Sequence, residues 1–200
     1  NLLYEYGQKF GEVAEPPIPL DGIVESHLEL SIDYDNLPEL LQIPDVLGAT
    51  FIKDKKILID LSLDSTEYPS KTGRCNFTIA HEVGHWVLHR HLYQDESEGL
   101  FGSVGDYEDE KIVCRTSSYK EPMEWQADRF AAAMLMPVEM VKQVWKERFD
   151  SLEPYVAEEE IADLSIRLGL DEGDCPTVSV ARDFAPLFSV SAQAMQIRLI

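Results

Sequence analysis

The stretch TIAHEVGHWVLHRH, residues 78–91, holds four of the chain's five histidines. On a helix, His81 and His85 lie four residues apart, one turn removed on one face, so both imidazoles can reach a single metal ion. For zinc the nitrogens would stand at roughly 2.0–2.1 Å. Glu82 is rotated by about 100° from His81 and stands beside such an ion. From there it can accept a proton from a metal-activated water, whose pKa falls toward about 7. The plain alternative is an amphipathic helix whose histidines share no task. The apolar neighbours Ile79, Val83, Trp86, Val87 and Leu88 fit a buried helix in either case, with Gly84 permitting close approach.

A catalytic zinc site takes three protein ligands and keeps one position open. His91 is one candidate third ligand, because HExxHxxxxxH has the length of the metzincin motif. That motif turns the chain at a glycine, where this sequence has Leu88. A leucine continues the helix and points His91 away. The other candidate is Glu124 of EWQAD, which would complete a His2Glu set. Asp128, four residues on, shares the face of Glu124 and could accept the second N–H of a ligating imidazole. The competing reading of this pair is a solvated acidic face. His89 also lies on the face of His81, about 6 Å further along, too far for the same ion but placed for a supporting or capping role. His27 has no partner at useful spacing.

These residues need elements to hold them. From Asp64 to Gly73, DSTEYPSKTG reads as a loop into the HExxH helix, preceded by a hairpin. Its apolar runs Ala49–Ile52 and Ile57–Leu61 flank a polar turn, Lys53–Lys56. ELSIDYDNLP alternates like a strand, a short helix starts near Asp21, and residues 1–10 read as the end of an N-terminal helix. Residues 94–121 are polar, acidic and without periodicity, the pattern of a lid or substrate-facing loop. PMEWQADRFAAAMLM forms the helix carrying Glu124 and ends at Pro137, which can serve as the first residue of a helix over Val138–Phe149. A helix within SLEPYVAEEEIADLSIRLGL runs to Gly169. Two short helices close the chain, with Ser189 or Ser191 as N-cap and with Val180, Phe184, Leu187 and Phe188 docked on the core.

The chain has 200 residues, 44% of them hydrophobic, enough to bury a core in one domain. Its formal net charge of −20 repels nucleic acid and anionic lipid, and favours a basic partner. The closing helices could mimic a helix-turn-helix but lack a basic footprint, so packing is expected instead of DNA binding. Three scattered cysteines, without a CxxC pair, suggest a reducing compartment. No apolar run approaches the roughly 18 residues of a membrane span, and no signal peptide is evident, so a cytoplasmic location is expected.

Together, RCNFTIAHEVGHWVLH (Arg74–His89), EWQADRFAAAMLMP (Glu124–Pro137) and the closing ARDFAPLFSVSAQAMQIRL (Ala181–Leu199) resemble the ImmA/IrrE family of zinc metallopeptidases. The resemblance spans roughly residues 48–199. It implies an α+β, mainly helical zincin-like domain with a small antiparallel sheet and short C-terminal helices. The expected division is a core over 1–150 and a helical extension over 151–200 packed on it, as one continuous domain. It also implies Zn2+ held by His81, His85 and Glu124, Glu82 as catalytic base, and Asp128 as supporting carboxylate. Manganese or iron could occupy such ligands too. Characterised members cleave helix-turn-helix transcriptional repressors in stress responses or mobile-element induction, so the expected activity is cleavage of such a DNA-binding protein. The acidic stretch at 94–121 departs from the family pattern, as does the lack of a C-terminal sensor domain. A different class of function is a non-proteolytic module that sequesters a basic repressor or antitoxin-like partner. An intact Glu82 has no chemical purpose in such a module.

Overall fold

The computed structural model describes residues 1–94, 111–115, 122–171 and 175–200, with the backbone alone at 94 and 111–115. After helix α1 (Leu2–Phe10), a single π-helical segment spans Gly22–His27. Strand β1 (Ser31–Asp35), helix α2 (Leu37–Leu41), β2 (Val46–Phe51) and β3 (Lys56–Asp60) follow. The hairpin turns at residues 52–55, with Lys55 at φ +49°. β3 is the apolar run of the hairpin and is buried at Ile57, Leu58, Ile59 and Asp60, as a strand covered on both faces should be.

The strand order is β1-β3-β2-β4, with β4 at Lys111–Arg115. β2 pairs antiparallel with both β3 and β4, whereas β1 pairs parallel with β3, Ile32 opposite Ile57. The sheet is therefore mixed, not antiparallel throughout. α2 and β2 together act as the crossover: one reversal after β1 and a second at the hairpin bring β3 back in the direction of β1. β4 falls inside the stretch expected to lack regular structure. Five residues with only three apolar ones carry too little periodicity to be read as a strand until β2 offers an edge. The rest of the expected lid, residues 95–110 and 116–121, lies outside the described residues.

α3 (Thr72–His89) runs across the sheet, and α5 (Pro122–Leu135) packs on its other side; α4 (His91–Gln94) is a short continuation. From Thr78 to Trp86 every residue of α3 is buried, because sheet and helix cover opposite faces. The two helices touch at small residues: a Cβ on Gly84 would lie 3.1 Å from Ala127 Cα. α6 (Val138–Phe149) starts directly after Pro137, which occupies the N-cap one residue before the helix. α7 (Glu158–Leu168) ends at Gly169, left-handed at φ +61°, while residues 151–157 are not helical.

The closing helices α8 (Ser179–Phe184) and α9 (Ala192–Leu199) join the main core, where Val180, Phe184, Phe188 and Met195 cluster with Ile57, Ile79 and Leu135. Fully burying each such side chain contributes about 1.5–3 kcal/mol. Leu187, expected in the core, is instead 47% exposed, in the turn that follows α8. Ser191 caps α9 by accepting the Ala194 N–H at 3.1 Å, whereas Ser189 adopts a left-handed φ of +51° in the turn. Asn76 donates to the Ser189 carbonyl at 2.9 Å, and Arg198 to the Met136 carbonyl at 2.9 Å, tying the tail to α3 and to the end of α5. Among the described residues no helix is long and apolar enough to cross a membrane.

Candidate metal centre

Three elements supply the site. α3 carries His81, Glu82, His85 and His89, α5 carries Glu124, Gln126 and Asp128, and β2 carries Gly48 and Thr50. The histidines are buried because the sheet covers one side of α3 and α5 the other. Glu124 keeps 22% exposure, at the open end of the group.

His81 Nε2 and His85 Nε2 are 3.0 Å apart, and each lies 3.2 Å from a different oxygen of Glu124. These three side chains form the group, among the described residues, that could hold a metal ion. Bonds of about 2.0–2.1 Å in a tetrahedral zinc site place neighbouring ligand atoms roughly 3.3 Å apart, close to these separations. The outer ring nitrogens are also engaged. His81 Nδ1 lies 2.9 Å from Asp128 Oδ1, and His85 Nδ1 lies 3.0 Å from His89 Nδ1. With Asp128 accepting the His81 Nδ1 proton, the His81 Nε2 lone pair faces inward, toward His85 and a carboxylate. Electron-rich donors converging in a buried site call for a positive charge between them. Burial alone would raise the Glu124 carboxyl, but beside the two histidines it is held at about 2, so it is ionised and brings a negative charge to the group. The donor set therefore fits a divalent cation.

Glu82 is fully buried. Burial pushes its carboxyl up to about 7, against the opposing influence of His81 and of a hydrogen bond from Thr50. The Thr50 hydroxyl donates to Glu82 Oε2 at 2.6 Å, while Oε1 has no hydrogen-bond partner among the described residues. Gly48 makes room for this carboxylate: a Cβ there would stand 2.6 Å from Glu82 Oε1 and 2.9 Å from Thr78 Cγ2.

His89 is 3% exposed and sits between His85 and Gln126, with its Nε2 2.9 Å from Gln126 Oε1. Burial lowers its basicity. His91 lies beyond the end of α3 and is exposed, away from the group. His27 is buried against Tyr6 and Phe10, with Glu5 3.9 Å from its Nε2. Trp125, beside Glu124 in sequence, is 56% exposed with the Arg129 guanidinium 5.2 Å from its ring. One residue along a helix turns by about 100°, so Ala127 and Ala131, not Trp125, face the core.

The sequence reading missed Gly48, Thr50 and Gln126. Gly48 and Thr50 are two apart on a strand, hence on one face, but nothing local says that α3 covers that face. A separate cavity of about 510 Å³ between α6, α7 and α9, lined by Trp145, Ile161 and Leu199 among others, includes none of these residues.

A family model described as the IrrE N-terminal-like domain, a peptidase family, matches residues 69–199. The matched segment contains α3 and α5 and reaches through the end of α9. No curated protein matches the chain.

Proposed function

Because the chain belongs to the IrrE N-terminal-like family of metallopeptidases, we propose that it is a zinc-dependent endopeptidase. Its proposed substrate is a specific protein, a helix-turn-helix transcriptional repressor. One observation carries the chemical part of this reading: a fully buried glutamate with an unpaired oxygen stands next to the converging His81, His85 and Glu124. A buried carboxylate left half-satisfied costs stability, and a catalytic role explains why such a group is kept.

In this reading His81 and His85 hold the ion through Nε2 and Glu124 through its carboxylate. Bound there, zinc supplies Lewis-acid activation of water and of the peptide carbonyl. Asp128 accepts the Nδ1 proton of His81 and fixes that ring. Glu82 takes the proton from the attacking water and returns it to the leaving amine nitrogen, while Thr50 holds Oε2 and leaves Oε1 for the transfer. Two imidazole nitrogens and one carboxylate favour zinc, with the chemistry of a His2Glu site.

The substrate class rests on the resemblance to repressor-cleaving relatives and on charge. A formal net charge of −20 attracts a basic, DNA-binding partner and speeds its encounter at low salt. The test is incubation of the purified protein with a candidate repressor, followed by metal analysis and mass spectrometry. Discrete fragments with the wild type and none with Glu82→Gln are expected, at one zinc per chain in both. A stable complex that yields no fragments with the zinc-loaded wild type would favour sequestration and overturn the proposal.

A further inference from the structure

We infer that the cleft between α6, α7 and α9 is a binding site for a small amphipathic anion, an apolar chain or ring system ending in one carboxylate-type head. The cleft holds about 510 Å³ and includes none of the residues of the metal centre, so the inference stands apart from the peptidase reading. Its walls come from elements whose apolar faces meet without filling the space between them. On α6, Val138, Val141, Lys142 and Trp145 recur at the spacing of one helix face. Ile161 of α7 and the segment 152–157 form another wall, and Val178, Val180 and Leu199 close the rest.

Val141, Val178 and Val180 are buried, whereas Val138, Leu152 and Tyr155 line the same space and are exposed. Apolar side chains left open to water around a concavity mark a place where an apolar group docks. Pockets for small ligands span about 300–1,000 Å³ and carry a few polar groups in a mainly apolar lining. This cleft lies in that range and is enclosed between three helices, a shape that suits a compact molecule and not a broad protein surface. A second copy of the chain is disfavoured as occupant, because each copy carries a formal net charge of −20.

The polar lining defines the head group. The Gln196 amide is used within the protein: its Oε1 accepts the Val178 N–H at 2.7 Å, and its Nε2 donates to the Pro176 carbonyl at 3.1 Å. The Tyr155 hydroxyl donates to Glu160. Lys142 and Arg198 remain as donors. Arg198 gives its Nε–H to the Met136 carbonyl at 2.9 Å, which anchors the guanidinium, while its two outer nitrogens make no hydrogen bond among the described residues. Lys142 Nζ reaches the exposed Glu139 at 3.1 Å, a pairing that contributes little in water and is easily exchanged. Glu153 is the one acidic side chain in the described lining, against two basic ones. That reverses the balance of the whole chain, where acids outnumber bases 37 to 17. An anionic head at Arg198 and Lys142, with the apolar body against Trp145 and Ile161, matches both parts of the cleft.

Calorimetric titration of the full chain with octanoate, octan-1-ol and octyltrimethylammonium tests this, since the three share a chain length and differ in the charge of the head. Octanoate should bind at one site per chain, about tenfold or more tighter than the alcohol. It should change the tryptophan emission of the wild type, and Trp145→Phe should bind it without that change. Lys142→Met, an exposed substitution, should weaken octanoate about tenfold and leave the alcohol unaffected. Arg198→Met should act in the same direction. No saturable binding, equal affinity for the alcohol, or tighter binding of the ammonium would overturn the inference. A dimer in light scattering that excludes octanoate would also overturn it and give the cleft to a second copy. The comparison of the three ligands on the wild type decides the matter even if a variant folds poorly.

Discussion

Thr50 of the sheet and Glu82 of the central helix are joined by a 2.6 Å hydrogen bond across the β2–α3 interface, thirty-two residues apart in sequence. This bond holds one oxygen of a buried carboxylate and leaves the other unpaired, over Gly48. It makes the orientation of the proposed base a property of the packing between sheet and helix.

Replacing Thr50 by Val keeps the shape and removes the donor. A hydrogen bond to a charged group contributes about 1.5–3 kcal/mol. Peptide cleavage by Thr50→Val is expected to drop by roughly tenfold or more in kcat, with zinc content unchanged. Equal kcat values for variant and wild type would show that Glu82 is held by other contacts.

Gly48→Ala drives a methyl group to 2.6 Å from Glu82 Oε1. Overpacking of this kind costs about 1–3 kcal/mol, and here the displaced group is the proposed base. Activity should therefore fall further than the melting temperature suggests. Differential scanning calorimetry beside a cleavage assay separates the two effects.

Gly84→Ala acts on the other side of α3. Its Cβ would press on Ala127 Cα at 3.1 Å, and Ala127 lies three residues from Glu124 on the same helix. The gain in helix propensity of about 1 kcal/mol partly offsets the crowding, so stability should change little. Zinc affinity should weaken about tenfold as Glu124 is pushed from the two histidines. A calorimetric titration with zinc that matches wild type would show that α5 can shift without moving its ligand.

Removal of zinc with a chelator should lower the melting temperature of the wild type. A ligand at a hundred times its Kd stabilises by about 2.7 kcal/mol, which corresponds to roughly 5–10 °C in a chain of this size. Glu124→Gln should melt at one temperature with or without the chelator.

Glu160 links α7 to α8: it accepts the Ser179 N–H at 2.6 Å and hydroxyl hydrogen bonds from Ser179 and Tyr155, with Arg182 at 3.7 Å. Partial burial raises the carboxyl, but these partners prevail and hold it below its ordinary 4.5. A lowered folded-state value means that the contribution is complete above about pH 4.5 and is lost as pH falls through the folded value. Wild type should lose stability below about pH 4.5 faster than Glu160→Gln in acid titrations followed by circular dichroism. Parallel curves would show that the contact adds nothing.

Much of this architecture is written in local patterns. HExxH places His81 and His85 on one face because helical spacing depends only on neighbouring residues. The hairpin of β2 and β3, the stop at Gly169 and the cap at Ser191 follow from equally short-range chemistry. Expectations that needed a distant partner fared differently. β4 is a strand because β2 offers it an edge, β1 lies parallel because β3 returns beside it, and Leu187 faces solvent because other residues filled the core. The sequence by itself determined which side chains could share a face and which could bind a metal or a proton. Only the tertiary structure decided what stands opposite those faces: Thr50 and Gly48 against Glu82, Asp128 against His81, and Gln126 against His89. Local periodicity orients a side chain, but its partner is set by packing between elements far apart in the chain.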